Sequence, residues 1–561
     1  MSVKAKFSRY KKLLLIAGAI LAALFVLLLI FVNRFIEPVL KDRLHTLIIQ
    51  GSDSLYTYTL GKLRANFYGG NVEVENLQIQ VDSSRYEYLR ERNALPSLTM
   101  QLSLQRGHIK GVGIIDLLFG RKVRIQEIMS KQANIILSRH IHPRDVQEEK
   151  MPVWKAIQPK ITSIYVGKIK LDGIKLLYKN ADTSESVKLQ FDRCDASFDD
   201  ILIDSSAAAD TTRIGFIKEI SMKFNDLKYR TSDSTYKMKA EWIKYSSKER
   251  TLEVDSFKLQ PTLEKEDFYG AASRQASLYW IEFAKVRFVN TRLDHFIHNN
   301  VVDADSVVFE KPEVKIYTDK TLPPDFESKI GKFPHQQLLK AGTTISVKHI
   351  SFKEASLALT QKDAKTAQEG TLSLEHLNFH ASNVTNDAQL IKKNPVCVAN
   401  FNGTIFNSSP VSLSLRLRLD SLNGRFDASG SVKNVSASQL NQVAVPLANV
   451  QINSCNIHDM EFNVTGEDYS ATGNVRMRYN NLSLTIRKTD EETGEIKTKK
   501  FITKLLNRFV IWSDNPGPDG IERVAHDKRV ARLTTQSFFG LLWKTIFAGM
   551  QDVMMKSGRY E

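Results

Sequence analysis

Residues 412–419 read Ser-Leu-Ser-Leu-Arg-Leu-Arg-Leu, a strict alternation of polar and apolar side chains. Because successive side chains of a β-strand point to opposite faces of the sheet, this alternation predicts a strand with one apolar and one wet face. The apolar face comprises Leu413, Leu415, Leu417 and Leu419. The wet face comprises Ser412, Ser414, Arg416 and Arg418.

The same period of two recurs along most of the chain, for example at 220–224, at 473–479 and at 371–379, where Leu372 and Leu374 share a face. Helical patterns are almost missing between these segments. Alternating strands without crossover helices favour antiparallel pairing. We therefore predict a mainly β fold, built as an extended, twisted antiparallel sheet with one apolar face.

Residues 71–82 alternate with an interruption. Val72 and Val74 share one phase, whereas Leu77 and Ile79 fall on the same face only after a shift of one residue. This pattern predicts a half-buried strand that contains a bulge or a turn.

Two internal repeats are visible. Residues 168–176, 285–293 and 349–357 each carry apolar side chains at the second, fourth and ninth places, which predicts a strand, a tight turn and the start of a return strand. In a larger unit, 115–119 followed by 133–137 parallels 293–297 followed by 312–316. Such repeats indicate a structure extended along one axis, and chance similarity among alternating strands is the alternative interpretation.

The N-terminal region predicts a membrane anchor. Residues 13–32 carry no charge and are long enough, as a helix, to cross a hydrocarbon core of roughly 30 Å. Residues 1–12 are basic, so they are expected to stay cytoplasmic while the rest of the chain is exported. A cleaved signal peptide is the alternative. Residues 33–51 predict a short amphipathic helix at the membrane surface.

Charge and cysteine content narrow the possible partners. The net charge of +16, without an arginine-rich block, favours anionic head groups or a solvated basic surface over nucleic acid. The three cysteines allow at most one disulfide and lack the spacing of a metal site.

The C-terminus departs from the strand pattern. A turn-rich connection at 513–536 precedes an amphipathic helix at 537–561. We expect this helix either to cap the open end of the sheet or to insert into a second membrane surface. Its predicted apolar arc comprises Phe539, Trp543, Ile546, Phe547, Met550, Val553 and Met554. Thr545 and Asp552 lie on the opposite face of the predicted helix.

Catalytic and cofactor motifs are absent from the sequence. It contains no Gly-x-Ser-x-Gly, His-Glu-x-x-His, Cys-x-x-Cys or phosphate-binding glycine loop. The pairs His140/His142 and His295/His298 could ligate a metal, but neither has cysteine or carboxylate partners at ligand spacing. We expect no cofactor and no enzymatic activity, although catalytic groups assembled only by folding would leave no linear trace.

Three passages resemble AsmA-like proteins: YTLGKLRANFYGGNVEVENLQI at 58–79, KGVGIIDLLF at 110–119 and VRIQEI at 123–128. The resemblance implies a repeating β-groove over 52–512, anchored in the inner membrane of a Gram-negative-type envelope. It also implies that the apolar face of the groove carries phospholipid acyl chains through the periplasm, in outer-membrane biogenesis. The implied partners are membrane phospholipid, the inner membrane and, at the far end, the outer membrane or another envelope protein.

Elementary energetics supports a lipid-facing groove. Exposure of an apolar sheet face to water costs a free energy of about 25 cal/mol per Å². The sheet must therefore close into a barrel, stack on a second sheet or hold an apolar ligand. A lipid conduit, a membrane-tethered scaffold or adaptor, and an enzyme are the competing functions. The groove-lining candidates are Val72, Val74, Leu77, Ile79, Leu372, Leu374, Leu413, Leu415, Leu417 and Leu419.

Overall fold

The fold is mainly β in the computed structural model, with 60% strand and 17% helix, which confirms the predicted class. The structure describes residues 48–49, 52–66, 70–92, 94–96, 98–113, 122–140, 155, 162–180, 187–231, 233–489, 496–498, 507 and 510–556. The predicted anchor at 13–32 and most of the segment 33–51 lie outside these ranges. Within them, no helix has both the length and the apolar character needed to cross a membrane.

The chain forms two compact units, Met1–Phe257 with Val289–Asn300, and Lys258–Phe288 with Val301–Glu561. We call them unit 1 and unit 2. The strands that begin in unit 1 are β1 (Tyr56–Asn66), β2 (Asn71–Val81), β3 (Leu98–Lys110), β4 (Lys122–Arg139), β5 (Ser163–Asn180), β6 (Val187–Ile203), β7 (Ile217–Arg230), β8 (Tyr236–Ser246) and β9 (Thr251–Pro261).

Unit 2 contains the remaining strands. They are β10 (Ser277–Val289), β11 (Val301–Glu310), β12 (Glu313–Asp319), β13 (Thr344–Lys362), β14 (Glu369–Thr385), β15 (Val396–Ile405), β16 (Ser409–Arg418), β17 (Phe426–Ser436), β18 (Val450–Gly466), β19 (Ser470–Thr489), β20 (Ile496–Thr498) and β21 (Val524–Ala531). The segment 513–536, expected to be a turn-rich connection, thus also contributes a strand.

The helices are short except at the C-terminus. They are α1 (Ser83–Glu91), α2 (Ser205–Ala209), α3 (Lys265–Ala271), α4 (Leu293–Asn299), α5 (Pro334–Leu339), α6 (Ala388–Lys393), α7 (Ala437–Ala448) and α8 (Phe538–Met554).

Most neighbouring strands pair antiparallel, as predicted. In unit 1 the antiparallel pairs run from β1 to β4 and again from β5 to β8. In unit 2 they run from β13 to β19, and β19 also pairs with β21.

The prediction of a wholly antiparallel sheet is wrong at one place in each unit. β4 runs parallel to β5, and β11 and β12 both run parallel to β13. A parallel pair needs a long crossover connection, and the segment 320–343, which carries α5, provides one in unit 2. The segment 320–343 is irregular apart from the six residues of α5, so it left no helical period in the sequence.

These parallel pairs confirm the strand part of the larger repeat. Residues 133–137 lie in the second half of β4, where Asn134 pairs with Lys175 of β5. Residues 313–316 occupy the corresponding place in β12, where Lys315 pairs with Ala358 of β13. Residues 115–119 lie outside the described ranges.

The shorter repeat is not a strand and its return. Residues 168–176 lie within β5 and 349–357 within β13, so the predicted turns are wrong there. Instead, Gly173 and Glu354 adopt left-handed φ angles of 66° and 53°. One left-handed residue adds a bulge and bends the strand without reversing it. In the remaining copy, 285–293, β10 ends at Val289, and the chain continues into α4 and not into a return strand.

The change of phase predicted for 71–82, as a bulge or a turn, occurs at one left-handed residue within a continuous strand. β2 continues through Asn76, whose φ is 56°. Leu77 pairs with Leu60 and Glu75 with Lys62, so Gly61 lies opposite Asn76 and the register between the strands does not shift. The left-handed backbone at Asn76 changes the apolar phase. Consequently Val72, Val74, Leu77 and Ile79 are all buried on one face, in the core of unit 1.

The cysteines Cys194, Cys397 and Cys455 are free and buried. Burial raises the pKa of the Cys194 thiol to about 12 and that of the other two thiols to about 11. They therefore stay protonated near neutral pH and pack as small apolar side chains.

Candidate functional site

A row of aromatic side chains crosses the apolar face of unit 2. Residues that face each other on paired strands lie on the same side of a sheet. Phe309 pairs with Phe352, Phe352 with Phe379, Phe379 with Phe401, and Phe401 with Leu413. We call these five residues the phenylalanine row. The ring centroids of its three Phe–Phe pairs are 5.0, 4.5 and 4.6 Å apart.

Every side chain of the phenylalanine row is only half-buried. Phe283 of β10 extends the row, with its ring centroid 5.6 Å from that of Phe309. Edge-to-face and tilted contacts between the rings stabilise the row, and part of each ring stays exposed. The result is a contiguous apolar strip that the described chain covers only in part.

Beyond Leu413, the protein itself covers the apolar face of the sheet. Leu413 pairs with Gly430, and Gly430 with Phe462. A Cβ on Gly430 would lie 2.5 Å from Cζ of Phe462, so glycine makes room for that ring. Phe462 pairs with Val475, which is fully buried beneath Gly549 of α8. The same face is thus partly exposed at the phenylalanine row and covered at β19.

The predicted groove leucines divide between these two environments. Leu413 belongs to the half-buried row, whereas Leu415, Leu417 and Leu419 are buried in the core of unit 2. Leu417 pairs with Phe426, whose ring centroid lies 4.8 Å from that of Phe538. The chain itself therefore covers this part of the face.

Leu372 and Leu374 lie on the same face as Phe379, although the alternation of apolar and polar residues changes phase between Leu374 and Phe379. His376 has a φ of 49° and forms a bulge, which brings both ends of β14 into one phase. Both leucines are half-buried.

Helix α7 bounds this face at one end of the strands. A Cβ on Gly370 of β14 would lie 2.7 Å from Cγ of Leu447. The Asn441 side chain bridges to β18, where its amide nitrogen donates to the carbonyl of Ile452 and its oxygen accepts from the Ile452 N–H, both at 2.8 Å.

The segment that leads into α5 closes the other end. Phe333 is fully buried, and its ring centroid lies 5.8 Å from that of Phe426 and 5.2 Å from that of Phe538. The phenylalanine row therefore lies between two covered ends.

Unit 1 has an analogous but smaller feature. The rings of Phe191 and Phe224 lie 4.8 Å apart and are half-buried. Around them, half-buried Ile169, Leu171 and Leu176 pack on the core. The predicted groove residues of this unit, Val72, Val74, Leu77 and Ile79, belong to its buried core and not to its exposed surface.

Helix α8 packs against β19 and β21, but its buried face is rotated from the predicted one. The buried residues are Phe538, Leu541, Leu542, Thr545, Ile546, Gly549 and Val553. Of the predicted apolar arc, Ile546 and Val553 are buried and Met550 and Met554 half-buried, whereas Phe539, Trp543 and Phe547 are 54%, 59% and 41% exposed.

The small residues of α8 explain the rotation. A Cβ on Gly473 of β19 would lie 2.8 Å from the Thr545 methyl group, so the helix approaches the sheet closely there. Thr545 is fully buried, and its hydroxyl donates to the carbonyl of Leu541 at 2.9 Å. This hydrogen bond satisfies the hydroxyl away from water. Size complementarity, and not apolar character alone, decides which face of α8 meets the sheet.

The two faces of α8 should respond differently to truncation. We expect Leu541→Ala to lower the free energy of unfolding by about 2–5 kcal/mol, since it leaves a cavity in a closed core. Trp543→Ala should change it by about 0.5 kcal/mol or less. Urea unfolding of both variants measures the difference, and equal destabilisation would show that the helix packs through the predicted arc after all.

The candidate metal-binding histidines occupy separate surroundings. His140 is buried, with Thr99 Oγ1 3.1 Å from Nε2 and Tyr86 Oη 3.4 Å from Nδ1. His295 lies 4.0 Å from Asp294. His142 and the His298 side chain fall outside the description. Across the described ranges, no three His, Cys, Asp or Glu side chains come together as a metal site.

The sequence matches no family model and no curated protein. The geometry of the apolar face and the passages quoted from the sequence therefore carry the functional argument.

Proposed function

We propose that this chain is an envelope protein, anchored in an inner membrane, that binds phospholipid acyl chains along the open apolar face of its sheets. The phenylalanine row is the observation that carries the proposal. Its five side chains are adjacent, apolar and half-buried, so each keeps part of its surface in contact with water. An acyl chain laid along the row would remove this surface from water.

The dimensions of the strip suit a chain molecule better than a compact ligand. Neighbouring strands lie about 4.8 Å apart, so the row follows an extended path across β11, β13, β14, β15 and β16. Its lining contains no charged side chain, which fits hydrocarbon and not a head group. The head group would remain in water above the strip.

The proposed location follows from the N-terminal sequence. We place 1–12 in the cytoplasm, 13–32 across the inner membrane and the remaining chain in the periplasm. The net charge of +16 suits work near anionic head groups. The resemblance to AsmA-like proteins supports the same role in outer-membrane biogenesis, and the role requires neither catalysis nor a cofactor.

A membrane-tethered scaffold is the second candidate. It is favoured by the covered part of the face, where Leu415 and Leu417 pack inside the protein and cannot meet a ligand. In a scaffold, the phenylalanine row would be a structural element that no lipid occupies.

Lipid content distinguishes the two functions. We expect full-length protein to co-purify with phospholipid, and Phe379→Gln and Phe401→Gln to retain less of it, because a polar amide interrupts the strip. Asn378→Gln is the matched control, since Asn378 is exposed on the neighbouring position of β14. Mass spectrometry of extracted lipid, normalised to protein, gives the comparison. All variants carry the same N-terminal segment, so lipid around that segment cancels. Equal lipid content in folded row variants and control would favour the scaffold.

A further inference from the structure

Three loops at one end of unit 2 present large apolar side chains to solvent. Leu422, between β16 and β17, is 96% exposed. Tyr469, between β18 and β19, and Leu533, after β21, are each 64% exposed. A single exposed apolar side chain needs no explanation, but three large ones on neighbouring loops do.

Backbone hydrogen bonds place these loops side by side. The N–H of Asp468 donates to the carbonyl of Asn423 at 2.9 Å, and the N–H of Arg532 donates to the carbonyl of Tyr469 at 2.8 Å. The three apolar side chains thus belong to one continuous edge.

The exposed face of α8 continues this edge. Nε2 of Gln536 donates to the carbonyl of Gly540 at 2.8 Å, and Nε of Arg532 donates to the carbonyl of Gln536 at 2.9 Å, which fixes the start of the helix beside the loops. Trp543 and Phe547 stack with ring centroids 6.0 Å apart. We call the combined surface the apolar rim. It comprises Leu422, Tyr469, Leu533, Phe539, Trp543 and Phe547.

A buried polar network holds the rim in place. The guanidinium of Arg532 lies 3.1 Å from Asp468 Oδ1, and both side chains are buried. Asp468 also accepts from Nε2 of Gln336 at 2.7 Å and from the N–H of Gly331 at 3.0 Å. The loops are therefore fixed to each other, so their apolar side chains do not fold back onto the protein.

The charges around the rim are unbalanced. Lys329, Lys340, Arg425 and Lys544 are exposed, and none of the four forms an ion pair within the part of the chain that the structure describes. The N–H of Lys329 donates to the carbonyl of Thr534 at 2.7 Å, and Nζ of Lys544 to that of Ala531 at 3.3 Å, so both lie next to Leu533.

Several acidic side chains of the same loops have hydrogen-bond or ion-pair partners. Asp420 pairs with Arg418, Glu467 accepts from the amide of Asn423, and Asp468 pairs with Arg532. Among the described residues of these loops and of α8 beside them, the four cations without an ion pair thus outnumber the acidic groups without one, Glu467 and Asp325.

We propose that the apolar rim inserts into the head-group region of an anionic phospholipid membrane. Tryptophan, tyrosine and phenylalanine favour that region because their rings are partly apolar, and flanking lysines and arginines are attracted to anionic lipid. Protruding loop tips enter a lipid surface readily, whereas a protein partner is typically met by a complementary patch with charged residues depleted at its centre. This insertion is independent of whether lipid occupies the phenylalanine row.

A local probe tests the insertion in the full-length chain. The native cysteines are buried, so Leu422→Cys can be labelled selectively with an environment-sensitive nitrobenzoxadiazole dye. The protein is held in nanodiscs of phosphatidylcholine, which accommodate the N-terminal segment, and vesicles of phosphatidylcholine and phosphatidylglycerol in equal parts are added. Doxyl-labelled lipid is present only in the vesicles. We expect a blue shift and quenching at this position.

Lys365→Cys provides the control label. It lies in the turn between β13 and β14, at the opposite strand ends from Leu422, and should show neither change. A Leu422→Cys label that stays unquenched, or that responds only when a soluble protein extract replaces the vesicles, would overturn the proposal.

Vesicle flotation gives an independent measurement. Trp543→Ser combined with Phe547→Ser should weaken binding to anionic vesicles by about tenfold or more, because two aromatic anchors are lost. Gln551→Ser, at an exposed polar position of α8, should bind as the wild type does. Vesicles of phosphatidylcholine alone should bind less of the wild-type protein. Unchanged flotation of the double variant would also refute the insertion.

Discussion

We expect Asp468→Ala to lower the free energy of unfolding of unit 2 by about 3–5 kcal/mol, because it leaves the buried guanidinium of Arg532 without its counter-charge. Burial lowers the pKa of Arg532, as expected for a cation held away from water, and the ion pair with Asp468 opposes that shift. The substitution also removes the acceptor for Gln336 and for the Gly331 N–H. Several elements that meet at one carboxylate would therefore loosen together.

Urea unfolding, with Asp420→Ala as the control, measures this effect. Asp420 also pairs with an arginine, Arg418, but both side chains are 40% exposed. An exposed pair contributes about 1 kcal/mol or less. If both variants unfolded at the same urea concentration, the Asp468 network would not stabilise the fold as argued.

The second large effect is expected at Leu415. It is buried between Ala399 and Ala428, its partners on β15 and β17. Leu415→Asp would place an unpaired carboxylate in this apolar layer, and we expect it to lower the free energy of unfolding by at least about 3 kcal/mol.

The matched control lies on the wet face of the same sheet. Ser429→Asp introduces the same group at an exposed position between Ser414 and Asn463, and should change stability by about 0.5 kcal/mol. Arg416→Asp is less suitable, because Arg416 pairs with Asp427 and two like charges would then face each other. Circular dichroism against urea measures both variants. Comparable stability of Leu415→Asp and Ser429→Asp would mean that the leucine face is not a core.

Local features of the fold could be predicted from the sequence because they depend on nearby residues. Alternation identified the strand at 412–419 and its buried face, and the phase shift at 71–82 identified the left-handed irregularity at Asn76. Both signals depend on the period of two, which holds wherever one face is apolar.

Features set by distant pairing could not be predicted in the same way. The parallel pairing of β4 with β5 depends on how the chain crosses over, which alternation does not record. The orientation of α8 depends on the space that Gly473 leaves for Thr545, a contact between residues far apart in sequence.

The candidate site was missed for the same reason. Each phenylalanine of the row is an ordinary apolar residue in its own strand. The row exists only because the registers of successive strand pairs bring Phe352, Phe379 and Phe401 into line. A recurrent phenylalanine in neighbouring strands was the one signal available, and without the registers it does not specify a surface.

The bulges determine which side chains share a face along the whole length of a long strand. In β14, His376 is the additional residue of the bulge, and it keeps Leu372 and Phe379 on the same face of the sheet. A one-residue slip moves every later side chain of a strand to the opposite face. Deletion of His376 would therefore exchange the wet and apolar positions of half the strand, a larger disturbance than most substitutions. Such a deletion could be tolerated only with a compensating insertion in the same strand, so length changes in this protein should be confined to its turns.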